Sequence, residues 1–217
     1  MKLIVFDVDG TLVDSQSLIV GAMAQAMEGA GLPVLDRARV LSIVGLSLPV
    51  AVATLLPNEP EARHHEVVAG YRAAFLSRRL ADEAPLYLGA RACLDTLGQR
   101  DDLMLGIATG KARRGLDAML DHHQLRGRFV TLQTADNHPS KPHPAMLLAA
   151  CDEAGVDPAG AVMIGDTSFD MQMALNARTA ALGVGWGYHG APALDELGVA
   201  VAGDFGQLQT MIEEWAR

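Results

Sequence analysis

Residues 1–13 read MKLIVFDVDGTLV, and this segment is the strongest indication of the fold class in the chain. Positions 3–6 form an apolar run of strand length, which is typical of a strand covered by helices on both faces. Asp7 and Asp9 follow this run, and side chains two residues apart in an extended chain point in the same direction. Because ligands of open parallel sheets bind at the carboxyl ends of the strands, the stretch predicts a site at the end of a first, buried strand.

Further apolar runs alternate with helical patterns along the rest of the chain. The runs of strand length cover residues 103–108, 161–165 and 180–184. Helical spacing covers residues 90–97, 113–122, 144–154 and 169–177. A last helix is predicted from about residue 205 to residue 215, with Asp204 as its N-cap. Strands that alternate with helices predict an α/β fold, a Rossmann-like doubly wound parallel sheet.

The alternation is interrupted from about residue 15 to residue 80, where only helical patterns occur. Ile19, Met23 and Met27 recur at helical spacing, and Gly31 with Pro33 ends that helix. Further helical stretches are predicted at residues 40–44, 49–56 and 62–80. We therefore predict a helical cap at residues 15–81, inserted into a catalytic core formed by residues 1–14 and 82–217.

Composition and charge limit the classes of partner. The chain has 217 residues, which suits one large domain with a smaller insertion, and its formal net charge is −9. Nucleic acids and anionic membranes attract basic surfaces, so neither is an expected partner. Cys93 and Cys151 have no metal-ligand spacing and are expected to be reduced thiols, and the apolar start is too short for a signal segment or a membrane span. The sequence predicts a cytoplasmic protein and fixes no oligomeric state.

Reactive side chains also follow the other predicted strands. Thr109 follows the second run, Asp166 follows the third, Asp170 lies four residues further on, and Lys141 precedes another helix. Several carboxylates in one place repel each other and require a cation. A site rich in hard oxygen ligands suits Mg²⁺, which also accepts phosphate oxygens. The set therefore predicts phosphate chemistry at a magnesium site.

Each member of the set has an expected role in this chemistry. Asp7 is the candidate nucleophile, and Asp9, expected to be held protonated by acidic surroundings, is the candidate acid for the leaving oxygen. Lys141 offsets negative charge, while Thr109 and the backbone amides near Gly10 and Gly110 are expected to donate hydrogen bonds to phosphate oxygens.

The segments DVDGT at 7–11, Thr109, Lys141 and GDTSFD at 165–170 resemble, in order, the four motifs of the haloacid dehalogenase superfamily. The resemblance covers nearly the whole chain, and the position of the cap resembles the subfamily that includes phosphoglycolate phosphatases. It implies that Asp7 forms an aspartyl phosphate and that Asp9 acts as acid and then as base. It also implies that the Asp7 carboxylate, the Asp9 carbonyl and Asp166 hold the metal, with Asp170 behind them.

Branches of the superfamily differ in ways that the sequence can test. Dehalogenases lack the second carboxylate of the first motif, whereas Asp9 is present here. Relatives that cleave phosphonates use a cap lysine, and the lysines here, Lys2, Lys111 and Lys141, all lie outside the cap. β-Phosphoglucomutases carry Lys and Arg around the cap loop that corresponds to residues 44–48, where this chain has VGLSL. Hydrolysis is therefore favoured over transfer to a sugar.

Two other readings have less support. The segment at 106–111 is similar to a nucleotide P-loop, but its glycine spacing is one residue short and Ala112 replaces the required Ser or Thr. A non-catalytic phospho-acceptor signalling domain would be shorter and would lack a cap. The expected function is a Mg²⁺-dependent phosphatase for a small phosphorylated metabolite. Phosphoglycolate is the first guess, with a sugar-phosphate mutase or a pyrophosphatase as the alternative, and cap arginines such as Arg72 are expected to set preference.

Overall fold

The computed structural model describes all 217 residues and contains a six-stranded parallel sheet in the order β3-β2-β1-β4-β5-β6. The strands are β1 Lys2–Phe6, β2 Leu103–Thr109, β3 Thr131–Thr134, β4 Ala161–Gly165, β5 Ala180–Val184 and β6 Val201–Ala202. The first strand lies in the middle of the sheet and pairs in parallel with β2 on one side and β4 on the other. The predicted α/β class and parallel sheet are confirmed.

Helices cover both faces of the sheet, as expected for a doubly wound fold. They are α5 Ala90–Leu97, α6 Arg113–His122, α7 Ala145–Ala154, α8 Ser168–Ala177, α9 Gly190–Asp195 and α10 Phe205–Trp215. Side chains of β1 alternate between the faces. Ile4 and Phe6 pack in a cluster with α5, α6 and α10, and Leu3 and Val5 pack in a cluster with α7 and α8. The fully apolar first run is explained by this two-sided burial.

Four further helices lie between β1 and α5. They are α1 Gln16–Gly29, α2 Arg37–Leu41, α3 Leu48–Leu55 and α4 Glu61–Ala81. Their buried side chains form a hydrophobic cluster of their own, separate from the two clusters at the sheet. The separate cluster supports a cap at residues 15–81, and we keep that division as a proposal.

The cap is connected to the core by two neighbouring chain segments beside the end of β1. The Asp14 amide donates to the Pro85 carbonyl at 2.9 Å, and the Tyr87 amide donates to the Leu12 carbonyl at 3.0 Å. These bonds hold the two linkers together at the edge of the first motif.

Some predicted boundaries differ from the structure. The second cap helix begins at Arg37, three residues before the predicted 40, because the Asp36 side chain caps it by accepting from the Arg39 amide. Strands β3 and β6 were not predicted, because the first is polar and the second has two residues. The predicted N-cap at Asp204 is confirmed, since its carboxylate accepts from the Gln207 amide. No helix combines the length and apolar character needed to cross a lipid bilayer.

Candidate active site

The carboxyl ends of the three central strands bring together the predicted reactive groups. Asp7 directly follows β1, Thr109 is the last residue of β2, and Asp166 directly follows β4. All three side chains are buried. The Asp7 amide still donates to the Ile164 carbonyl at 2.9 Å, so the ladder between β1 and β4 continues to the site and fixes Asp7 in place.

Lys141 is a fully buried cation that joins two of the acidic residues. Its Nζ lies 2.8 Å from Asp7 Oδ1 and 2.6 Å from Asp170 Oδ1. Burial by itself would lower the pKa of the Lys141 ammonium, but the Asp170 and Asp7 carboxylates outweigh burial and raise the pKa above its ordinary value. Lys141 is therefore held charged within the site.

Three buried carboxylates form one cluster beside this ammonium. Oxygens of Asp7, Asp166 and Asp170 all lie within 4.8 Å of one another. Burial raises the pKa of Asp7 to about 6 against the opposing effect of Lys141. Burial, followed by the charges of Asp170 and Asp7, raises the pKa of Asp166 well above its ordinary value. These shifts mean that the ionised cluster carries more negative charge than Lys141 neutralises, and a bound metal cation would offset the remainder.

The oxygen atoms left free within this cluster fit a hard divalent cation. Asp7 Oδ2 is buried and accepts no hydrogen bond, and no backbone amide donates to the Asp9 carbonyl oxygen. Asp166 accepts one hydrogen bond on each oxygen, from the Thr11 hydroxyl at 2.9 Å and the Tyr188 amide at 2.8 Å. Each of its oxygens keeps a second lone pair for a metal.

Asp170 is held differently and supports the other groups. Its Oδ1 accepts from Lys141, and its Oδ2 accepts from the Thr167 hydroxyl at 2.6 Å and the Thr167 amide at 3.1 Å. Thr167 in turn caps α8, so the two residues form a reciprocal capping box at the start of that helix. Both oxygens of Asp170 are therefore committed to positioning Lys141 and α8.

The Asp9 side chain stands apart from the three-carboxylate cluster. Its Oδ1 accepts from the Ser15 hydroxyl at 2.6 Å, and its Oδ2 lies 2.9 Å from Lys111 Nζ. Acidic surroundings were expected to hold Asp9 protonated, and the structure adds an ammonium and a hydroxyl in direct contact with it. Lys111 was assigned no role from the sequence, since it was weighed there only as part of a failed P-loop motif.

Comparisons with known proteins agree with this geometry. Residues 4–184 match the family model described as haloacid dehalogenase-like hydrolase. The chain is 37% identical to the probable phosphatase IndB of Dickeya dadantii over 86% of this chain and 82% of the relative. It is 34% identical to the phosphoglycolate phosphatase of Chromobacterium violaceum over 89% of each. A hydrolase structure from Pseudomonas syringae superposes over 100% of both chains with a TM-score of 0.88 and 25% identity.

The chain belongs to the haloacid dehalogenase-like hydrolase family. The resemblance inferred from the four sequence motifs is thereby confirmed, and so is the prediction that the chain is an enzyme of the phosphatase type.

Glycines in this hydrolase allow the backbone to approach the acidic cluster. Gly10 has φ of +91°, and a Cβ there would lie 2.3 Å from Asp166 Oδ2. A Cβ on Gly110 would lie 2.6 Å from the Gly45 carbonyl of the cap. The two predicted phosphate-loop glycines thus mark close contacts, Gly10 with the carboxylates and Gly110 with the cap.

A loop after β5 contributes contacts that the sequence did not predict. The Tyr188 amide donates to Asp166, and the Tyr188 hydroxyl lies 2.8 Å from the Ser15 hydroxyl, which holds Asp9. The Trp186 indole N–H donates to the Thr11 carbonyl at 3.1 Å. Gly183, Gly185 and Gly187 alternate with other residues here, and no site was predicted for this segment from the sequence. Trp186, between two of these glycines, and Tyr188, directly after the last, were the features of the sequence that could have indicated a role for this loop.

Residues of the proposed cap contact the core beside the site. The Ser47 amide donates to the Ser140 hydroxyl at 2.8 Å, and His189 Nε2 lies 3.1 Å from the Ser42 carbonyl. From α4, the Phe75 ring lies 4.8 Å from Lys111 Nζ. Arg72, named from the sequence among the cap arginines expected to set substrate preference, is exposed.

Replacing Gly187 with Ala tests the fit between the loop after β5 and the acidic cluster. A Cβ there would lie 2.1 Å from Asp166 Cβ, so the loop must move and weaken the hydrogen bond from Tyr188. We expect Gly187→Ala to lower the free energy of unfolding by about 1–3 kcal/mol in urea titrations. Gly29→Ala, where a Cβ meets nothing within 4 Å, is the control and should be neutral or slightly stabilising. Equal effects of the two variants would contradict this geometry.

Proposed function

We propose that the chain is a Mg²⁺-dependent phosphatase that hydrolyses a small phosphomonoester through an aspartyl phosphate on Asp7. The observation that carries the proposal is the state of the Asp7 carboxylate. One of its oxygens is held by Lys141 at 2.8 Å, and the other is buried without a hydrogen bond. A buried oxygen with no partner is costly unless it serves a ligand or a reaction.

The residues around Asp7 are placed to hold a phosphate. Lys141 supplies positive charge, and the Lys111 amide donates to Thr109 Oγ1 at 3.2 Å. Because that hydroxyl oxygen already accepts a hydrogen bond, its own O–H is available to donate to a phosphate oxygen. A magnesium ion held by Asp7, the Asp9 carbonyl and Asp166 would screen the charge between the carboxylate and the phosphate.

The reaction follows in two balanced steps. In the first, an Asp7 oxygen attacks phosphorus, the bond from phosphorus to the ester oxygen breaks, and Asp9 donates its proton to the leaving alcohol. In the second, Asp9 removes a proton from water, and the resulting hydroxide attacks the phosphorus of the aspartyl phosphate. Inorganic phosphate leaves, and both aspartates return to their starting states.

The kind of substrate is inferred from two observations. One relative with 34% identity is a phosphoglycolate phosphatase, which supports a small phosphomonoester of that kind. The cap loop VGLSL at 44–48 carries no cation, whereas a phosphosugar mutase must hold a second phosphate. Water is therefore the favoured acceptor, and transfer to a sugar remains the alternative.

Asp7→Asn removes the nucleophile and keeps the side-chain shape. We expect kcat for phosphate release to fall by a factor on the order of 10⁴–10⁶, because an amide does not attack phosphorus. Circular dichroism should show an unchanged fold. Asp152→Asn, an exposed acid on α7, is the matched control and should keep activity. Steady-state turnover by Asp7→Asn at the wild-type rate would contradict the proposal.

Asp9→Asn separates acid catalysis from binding. We expect kcat/KM for alkyl phosphates to fall by roughly 10²–10⁴, because a poor leaving group requires a proton. For p-nitrophenyl phosphate, whose leaving group is already stable as an anion, the loss should be much smaller. The measurement is kcat/KM across esters of graded leaving-group pKa, and a uniform loss across the series would refute the role of Asp9.

A further inference from the structure

Lys111 is a cation that stands beside the reacting groups but outside the phosphate cradle. Its side chain is 11% exposed, and its Nζ contacts Asp9 Oδ2 at 2.9 Å and the face of the Phe75 ring at 4.8 Å. An ammonium group has three N–H donors, so these two contacts leave one donor without a protein partner. A partly buried ammonium with a donor to spare at this position is suited to a ligand.

The space next to Lys111 is bounded by aromatic side chains. Tyr71 and Phe75 stack on each other with ring centroids 5.7 Å apart, one helical turn apart on α4. Burial raises the pKa of the Tyr71 phenol, and the charge of Asp9 adds to the shift, which places Tyr71 within the field of Asp9. The side of Asp9 that faces the cap is therefore lined by rings and by the Lys111 ammonium.

No cap arginine competes with Lys111 for this position. Arg37, Arg39, Arg63 and Arg79 contact other partners, namely Gln16, the Leu55 carbonyl, the Ala30 carbonyl with Glu66, and Glu83. Arg72 and Arg78 are exposed. All six cap arginines are thus either engaged with other partners or exposed, which leaves Lys111, a core residue, as the cation beside Asp9.

We propose that Lys111 binds a carboxylate on the alcohol part of the substrate, so that the enzyme prefers phosphate esters of small hydroxy acids. This inference rests on the proposed phosphatase function and on Asp9 as the acid. If the leaving oxygen is hydrogen-bonded to Asp9, the ammonium lies within roughly 6 Å of it. A carboxylate attached to the ester carbon spans that distance.

The charge of the site favours a carboxylate over a second phosphate. When Asp9 carries the proton that its role as acid requires, the positive charge of Lys111 has no protein counter-charge at Asp9, and one such charge matches a monoanion. A phosphate dianion would require additional donors, and the neighbouring cap loop at 44–48 is mostly apolar. Phe75, whose ring faces the ammonium, adds an apolar surface and no further hydrogen-bond donor.

A matched pair of substrates tests the assignment. 2-Phosphoglycolate carries the carboxylate, and 2-hydroxyethyl phosphate has a hydroxymethyl group in its place. The readout is the ratio of kcat/KM for the first to that for the second. We expect the wild type to prefer 2-phosphoglycolate and Lys111→Met to lower the ratio by about 10- to 100-fold, as expected for loss of a hydrogen bond between charged groups. Lys111→Arg should restore most of the ratio, and Arg72→Met, at an exposed position of α4, should not change it.

The outcomes distinguish this inference from the function on which it rests. If the wild type hydrolyses p-nitrophenyl phosphate but the ratio is the same in wild type and Lys111→Met, Lys111 does not read the carboxylate and only this inference fails. A parallel loss for both substrates would assign Lys111 a purely structural role and would also overturn it. If the wild type with Mg²⁺ hydrolyses no phosphomonoester, the proposed function fails, and this inference fails with it.

Discussion

The contact between the Lys141 ammonium and the carboxylates of Asp7 and Asp170 controls the rest of the site. It brings together Asp7 after β1, Asp170 in the first turn of α8 and Lys141 before α7, and all three side chains are buried. A buried pair of this kind is stabilising only when its geometry is good and its remaining groups are satisfied. Asp170 meets that condition through its capping box with Thr167, whereas Asp7 retains one oxygen without a partner. The uncompensated group is the one proposed to react.

The three buried carboxylates of Asp7, Asp166 and Asp170 carry an excess of negative charge when they are ionised, and a bound cation would offset it. Asp7 and Asp166 both have raised pKa values, which means that burial disfavours their ionised forms when no metal is bound. A divalent cation reverses this preference, because carboxylates coordinate a metal in their ionised form. Under the proposed function, binding of Mg²⁺ and ionisation of the cluster would be one coupled process.

Much of the fold and site could be predicted from the sequence because both depend on local patterns. Apolar runs of strand length predicted β1, β2, β4 and β5. Asp7, Thr109 and Asp166 lie at the ends of three of these runs, which predicted that they share one edge of the sheet. The edge strands β3 and β6 were missed, because they are too short or too polar to show a periodic pattern.

The side chains around Asp9 could not be predicted, since they come from distant parts of the chain. Ser15 follows the first motif, Lys111 follows the second, and Tyr188 lies in the loop after β5. No spacing rule links such positions, because only the closed cap and the folded loop bring them into contact. The same reason applies to Arg72, whose exposure in the folded chain is not visible in the sequence.

The proposed metal site at Asp7, Asp166 and the Asp9 carbonyl is tested by the thermal unfolding of the apoprotein with and without Mg²⁺, because these groups come together only in the folded chain. At a Mg²⁺ concentration of about 100 Kd, binding should stabilise the wild type by about 2.7 kcal/mol, which for a chain of this length is a rise in Tm of roughly 5–10 °C. The rise should disappear in Asp166→Asn and persist in Asp152→Asn. An unchanged Tm for the wild type, or an equal rise in Asp166→Asn, would contradict the account.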